Sequence, residues 1–307
     1  MSAAPTRIKR LERRLPGLPW LAAAAVMLMW ASSFIVIRSA GHHYPPGAMT
    51  LLRCLASSTA LSILLLAGRV RPPRTPRLWA GVAGWGVLWF SGYIYALNAA
   101  EASIDAATAA MVVNVAPLIV AVLSGVVLGE RPHPRVHLGV AVAFAGIVLI
   151  TVATTTGALT LDGLLLALAA AVMYAAAVLV QKRLLAHVDS TSMTVIGVLA
   201  AALATAPFAA ADLPAHVAAA PLQATLGVVY LGVFPTALAF LLWGYALSRL
   251  PAGLLTSSSL AVPSLALVMS WLVLDELPAP LAILGGALCL AGVACAVLPS
   301  VAKAVRR

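Results

Sequence analysis

The chain has 307 residues, 63% of them hydrophobic and only 9% charged, with a formal net charge of +10. A soluble domain needs about 25% charged residues to wet its surface, so a globule in water is excluded, and the mean hydropathy of +1.04 points to a bilayer as solvent. The basic excess falls between apolar runs instead of gathering on one face, which argues against nucleic acid and for a partner made of lipid.

Residues 1–17 form a basic tail, followed by an apolar run from Trp20 to Ile37. A signal peptide would carry an apolar region of about 7–15 residues and a small-residue cleavage site. This run is longer, so it reads as a retained first span. A helix needs roughly 20 apolar residues to cross the hydrocarbon. Splitting the chain at charges, prolines and glycines gives ten such runs: 18–37, 48–67, 78–98, 106–128, 136–153, 163–184, 192–211, 222–247, 253–274 and 281–298. Cys54, Cys289 and Cys295 all fall inside these runs, without metal-ligand spacing, and read as small apolar packers.

The basic residues orient the spans. Arg7, Lys9, Arg10, Arg13 and Arg14 precede span one, and Arg69, Arg71, Arg74 and Arg77 follow span two. Arg131, Arg135, Lys182, Arg183, Arg249, Lys303, Arg306 and Arg307 fall on the same side, while the other side has Arg38 alone, with Arg53 just inside span two. The positive-inside rule then puts both termini in the cytoplasm, with the chain multi-pass in the inner membrane.

The chain is also written twice. A shift of 146 residues aligns Pro117 with Pro263, Glu130 with Glu276 and Pro132 with Pro278, and "LGVAVAFAG" with "LGGALCLAG". A shift of 144 aligns Met29-Trp30 with Met173-Tyr174, Arg38 with Lys182, and Met49-Thr50 with Met193-Thr194. The expected domains are two five-span units, 18–153 and 160–298, with tails at 1–17 and 299–307. Five is odd, so the second unit enters from the opposite side. Its "DELP" lies outside where the first unit's "GERP" lies inside, and it has lost the arginine. Inverted repeats of this kind build many secondary transporters, with the site near the midplane between the repeats. The expected fold class is therefore all-α integral membrane, ten transmembrane helices as two inverted five-helix repeats.

Ten spans, the repeated proline–glutamate–proline stretch that closes span four and span nine, and "WASSFIVIR" in span one resemble the drug/metabolite transporter superfamily, in particular its EamA-domain exporters and the YddG-type amino-acid exporters. The resemblance covers essentially the whole chain. It implies export of amino acids, small metabolites or drugs, and a central cavity lined by spans one, three, four, six, eight and nine, with spans five and ten peripheral.

Pro117 and Pro263 each remove a helical hydrogen bond and clash with the carbonyl four residues back, at about 3 kcal/mol or more. The carbonyls affected belong to Val113 and Ser259. One reading is a packing kink; the other, favoured by its recurrence in both halves, is a hinge beside a wet cavity. Ser32, Ser33, Asn114, Ser257, Ser258 and Ser259 lie at mid-depth in spans that the resemblance assigns to the cavity. Serines in membrane helices also pack or bond their own backbone, so both readings stand for each. Trp30, Trp89, Tyr93 and Tyr174 are deep enough to wall a mostly apolar pocket, against core packing as the alternative. Trp20 and Trp79 read as interfacial belt residues, and Trp243, Tyr245 and Trp271 as belt or gate.

Glu130 and Glu276 end their apolar runs, where a carboxylate opposes the helix dipole and needs a partner. A structural role at the tight loop is expected, capping the helix at Val136 or Leu281 or pairing with Arg131. Arg38 and Arg53 read as snorkelling to the outer surface, or as an anion-attracting vestibule. Small residues in spans five and ten, Gly139, Ala143, Gly146, Gly285, Gly286 and Gly292, allow close helix approach, for a dimer or for internal packing.

The expected function is a secondary transporter exporting amino acids or related small metabolites by alternating access. No acid lies mid-span, so solute should move down its own gradient. The alternative is a multidrug or nucleotide-sugar type transporter of the same superfamily, proton-coupled or exchanging. An intramembrane enzyme would need paired acids or a nucleophile–base pair at depth, and none is implied; no catalytic residue, metal site or cofactor is expected. The expected partners are a small-molecule solute and the bilayer, with the chain a monomer or weak homodimer.

Overall fold

The structure, a computed structural model, describes residues 17–104, 106–130, 133–154, 160–274 and 279–305, with no side-chain description for Arg38 and a few residues beside the breaks. Among the described residues every regular element is helical. Among the described residues ten helices are long and apolar enough to cross a membrane: Leu18–Ile37, Pro46–Leu66, Pro76–Glu101, Thr108–Leu128, Pro134–Ala153, Leu161–Leu184, Ser190–Ala209, Leu222–Arg249, Ala252–Met269 and Pro280–Ala302. They are called spans one to ten. The protein is therefore an all-helical, multi-pass membrane protein.

Local chemistry starts these helices. Proline stands in the first turn of spans one, two and three, where its missing N–H costs nothing. Thr75, Thr160 and Asp189 cap spans three, six and seven by accepting from Leu78 N, Gly163 N and Ser192 N. A short helix, Leu213–Ala219, joins spans seven and eight.

Four spans are interrupted, in pairs at one register. Span four breaks between Ala106–Val113 and Ala116–Leu128, and span nine between Ala252–Ser259 and Val262–Leu274. These two breaks lie 146 residues apart, each just before the shared proline. Spans three and eight each contain a π-helical turn, Val87–Tyr93 and Gly232–Leu238. A proline inside the second turn, Pro235, frees a carbonyl, and the Thr236 hydroxyl donates to Leu231 O at 2.8 Å in compensation.

Glycines let these irregular spans approach the opposite half. A Cβ on Gly86 would strike the Gly197 carbonyl of span seven. One on Gly232 would lie 2.7 Å from Arg53 O of span two. Spans five and ten pack along each other through the small residues named above. A Cβ on Gly146 would meet Gly285 O at 2.5 Å, and one on Gly139 would meet Gly292 O at 2.5 Å. Of the two uses left open for this small-residue stripe, the structure shows internal packing.

Candidate functional site

A cavity of about 110 Å³ lies between the halves. The breaks in spans four and nine contribute Val113, Asn114 and Pro117 on one side, and Ser259 and Val262 on the other. Trp30 and Ser33 face it from span one, Trp89 and Tyr93 from span three, and Tyr174 from span six. The structure therefore brings together most of the residues singled out from sequence.

The aromatic side chains form one continuous wall. Phe240 of span eight packs against Trp30 at 5.8 Å and Trp89 at 5.1 Å between ring centroids. Trp89 meets Tyr174 at 5.3 Å, and Tyr174 meets Tyr93 at 5.7 Å. The Trp30 indole N–H donates to Pro235 O at 3.2 Å, inside the π-helical turn of span eight. This ties span one to an irregular part of the other half. Phe240, Phe34, Ile37, Ile94 and Leu97 complete the apolar lining, and nothing in their sequence context set them apart from other membrane-helix residues.

The polar groups are few. Asn114 Nδ2 donates to Ala110 O at 2.7 Å, which presents the amide oxygen on its other side. The Tyr174 hydroxyl donates to Ser259 Oγ at 3.4 Å, while Ser259 itself donates to Thr256 O. Ser33 lines the cavity but donates to Met29 O in its own helix. Ser257 and Ser258 are not in the lining; they are buried and bond Gly253 O and Leu255 O, one turn back. Ser32 pairs with the Tyr230 hydroxyl at 2.7 Å instead. Pro263 is half-buried just outside the lining, next to Val262. For these serines the backbone-bonded reading holds.

Three placements correct the sequence reading. Arg53 does not snorkel. It is 8% exposed, lines the cavity, and its Nε donates to Thr236 Oγ1 of span eight at 2.6 Å. The close crossing at Gly232 presses the π-helical turn against span two beside Arg53, so its nearest hydroxyl lies inward. The second correction concerns tryptophans. Trp243 is fully buried, with its indole N–H donating to Gln181 Oε1 at 3.2 Å, and Trp20 packs in the core. Trp79 and Trp271 remain exposed, as belt residues should be.

The third correction concerns Glu130. It does not cap Val136, whose N–H goes to His133 O, and Arg131, the other expected partner, lies outside the described residues. Gly129 takes a left-handed φ of 68°, and Glu130 N closes back onto Ser124 O at 3.2 Å. This turn aims the carboxylate at the start of span nine, where it accepts from Ala252 N at 2.9 Å and Gly253 N at 3.4 Å. An anion at a helix N-terminus is favoured by both the free N–H groups and the dipole. Beside it, Lys182 Nζ donates to Leu247 O of span eight and to Leu250 O just after it, each at 2.6 Å, and Arg183 donates to Val127 O of span four at 2.7 Å. One end of the bundle is thus tied shut across spans four, six, eight and nine. The cavity lies between this tied end and the end where spans one and three finish. Glu276, the partner of Glu130 in the repeat, falls outside the described residues.

Comparison with known proteins gives a consistent result. The EamA-like transporter family matches twice, over residues 17–152 and 161–298. A "probable terminal-alkyne amino-acid exporter" of Streptantibioticus cattleyicolor is 36% identical over 89% of this chain and 91% of its own length. A "probable amino-acid metabolite efflux pump" of Salmonella typhimurium is 25% identical over 88% of this chain and 91% of its own. A solved crystal structure superposes with a TM-score of 0.75 at 25% identity, covering 91% of this chain and 96% of that one.

Proposed function

The chain belongs to the EamA-like transporter family, and from that premise we propose that it exports amino acids or related small metabolites across the cytoplasmic membrane by alternating access. It is a transporter, not an enzyme. In this reading, residues 18–153 and 160–298 are inverted units that move against each other, flanked by cytoplasmic tails at 1–17 and 299–307. The observation that carries the proposal is the cavity lined from both halves at the paired breaks of spans four and nine. An apolar aromatic wall with a few polar groups suits a small amphipathic solute. Two relatives bear names that specify amino-acid export, which supports the same substrate class.

With the positive-inside orientation, the end tied by Glu130, Lys182 and Arg183 is cytoplasmic, and the cavity lies toward the outer face. Pro117 and Pro263 are then twin hinges, one for each gate. Solute moves down its own gradient in the primary reading. A proton-coupled mechanism is the second reading, favoured by Glu101: its Oε1 is buried and has no hydrogen-bond partner among the described residues. Nucleotide-sugar transport would need several cations for two phosphates, and among the described residues Arg53 is the single basic residue in the lining.

The test is uptake into liposomes of the purified protein with a panel of labelled amino acids, nucleosides and organic cations. Saturable movement of amino acids without an imposed pH gradient is the expected outcome. Failure to move any amino acid would overturn the reading.

A further inference from the structure

We propose that Arg53 is the carboxylate anchor of the transport site, so that the solute carries one free carboxylate and binds with it toward span two. This rests on the amino-acid exporter reading and assigns a residue that determines its specificity. Span two begins at Pro46, so Arg53 sits about 10 Å along the helix at 1.5 Å per residue. A cation held at that depth is costly and needs a reason.

Structural pairing inside the protein does not supply that reason. Among the described residues the one hydrogen bond of Arg53 runs from Nε to Thr236 Oγ1. Glu101 is near enough for the two charges to interact. Yet its Oε1 has no hydrogen-bond partner among the described residues, so the acid does not close the guanidinium fork with both oxygens. Arg53 borders the cavity. A planar guanidinium fixed at Nε by a hydroxyl keeps its orientation and offers its terminal N–H groups to an incoming carboxylate, the geometry for which arginine is suited.

The rest of the lining fits the remainder of such a solute. The wall of Trp30, Trp89 and Phe240 takes an apolar side chain. The free face of the Asn114 amide and the carbonyls released near Pro117 can accept from an ammonium. The second half offers no equivalent cation at the corresponding crossing, because Gly197 stands there against Gly86. The anchor is therefore one-sided, and one carboxylate is matched where two would not be. Sequence alone suggested that Arg53 snorkels to the outer surface or attracts anions to a vestibule there; its placement on the cavity carries the second idea inward.

The experiment crosses a protein change with a ligand change. Purified full-length protein in nanodiscs is titrated with leucine, phenylalanine and alanine, each beside its carboxamide, using wild type, Arg53→Gln and Arg53→Lys. Wild type is expected to prefer the acid over the amide by about 30-fold or more, as for loss of one partner of a buried charge pair. Arg53→Gln should erase that preference while leaving carboxamide binding within about 2-fold, and Arg53→Lys should restore part of it. Equal loss for acid and amide in Arg53→Gln would make the residue structural and overturn the proposal. So would a wild type that binds acid and amide alike while still transporting amino acids. If wild type neither binds nor transports any amino acid, the exporter reading itself has failed and the anchor falls with it. Should Arg53→Gln not fold, Thr236→Val keeps the charge and frees the guanidinium from its brace. The acid-over-amide preference should then shrink several-fold, and no change in it would count against the anchor.

Discussion

The two ends of the bundle use charge differently. At the tied end three charged groups are satisfied by backbone far along the chain: Glu130 by two N–H groups, Lys182 by two carbonyls, Arg183 by one. At the other end, among the described residues, Arg53 has one hydroxyl partner and Glu101 Oε1 has none. Charges that discharge into helix ends fasten helices. Charges with spare valence beside a cavity are poised for a ligand.

The sharpest way to break this comparison is to remove the clamp. Glu130→Ala should leave two N–H groups at the start of span nine without their acceptor. Charge-assisted bonds at a helix N-terminus are together worth on the order of 1–2 kcal/mol, about a tenfold shift between two states. A cysteine placed at Thr256, fully buried one turn above the clamp, should then label about tenfold faster from the tied end. An unchanged labelling rate would mean that Glu130 only caps a helix.

The hinges should give a smaller effect. Pro117→Ala and Pro263→Ala each restore a missing N–H and should straighten their span. Transport should fall several-fold in each, and the two should trap opposite faces, read as opposite accessibility of a reporter cysteine at Ala110. Wild-type transport by both variants would reduce the breaks to packing features.

The smallest effect is expected from Glu101→Gln. If solute moves down its own gradient, transport without a pH gradient should stay within about 2-fold of wild type, since the amide keeps the shape of the side chain. Sustained accumulation driven by a pH gradient in wild type, lost in this variant, would instead establish proton coupling.

The ten spans, the repeat and the register of the breaks could all be read from the sequence, because they depend on local quantities. Span length follows from the hydrocarbon thickness, and the break before Pro117 or Pro263 follows from an N–H that proline lacks. Trp30, Trp89, Tyr93, Asn114 and Tyr174 were legible as cavity residues by depth and residue type. What sequence could not fix is the azimuth of a side chain around its helix and the identity of a partner far along the chain. Ser257 and Ser259 differ by two positions, yet only Ser259 reaches the cavity. Glu130 finds its partners 122 and 123 residues away, and Arg53 finds Thr236 at a separation of 183. Spans five and ten could have met a second copy, and instead they meet each other. Hydropathy is almost uniform around these helices, so it marks no inner face. Only the close crossings at Gly232, Gly86 and Gly146, where backbone meets backbone, decide which side of each helix turns inward.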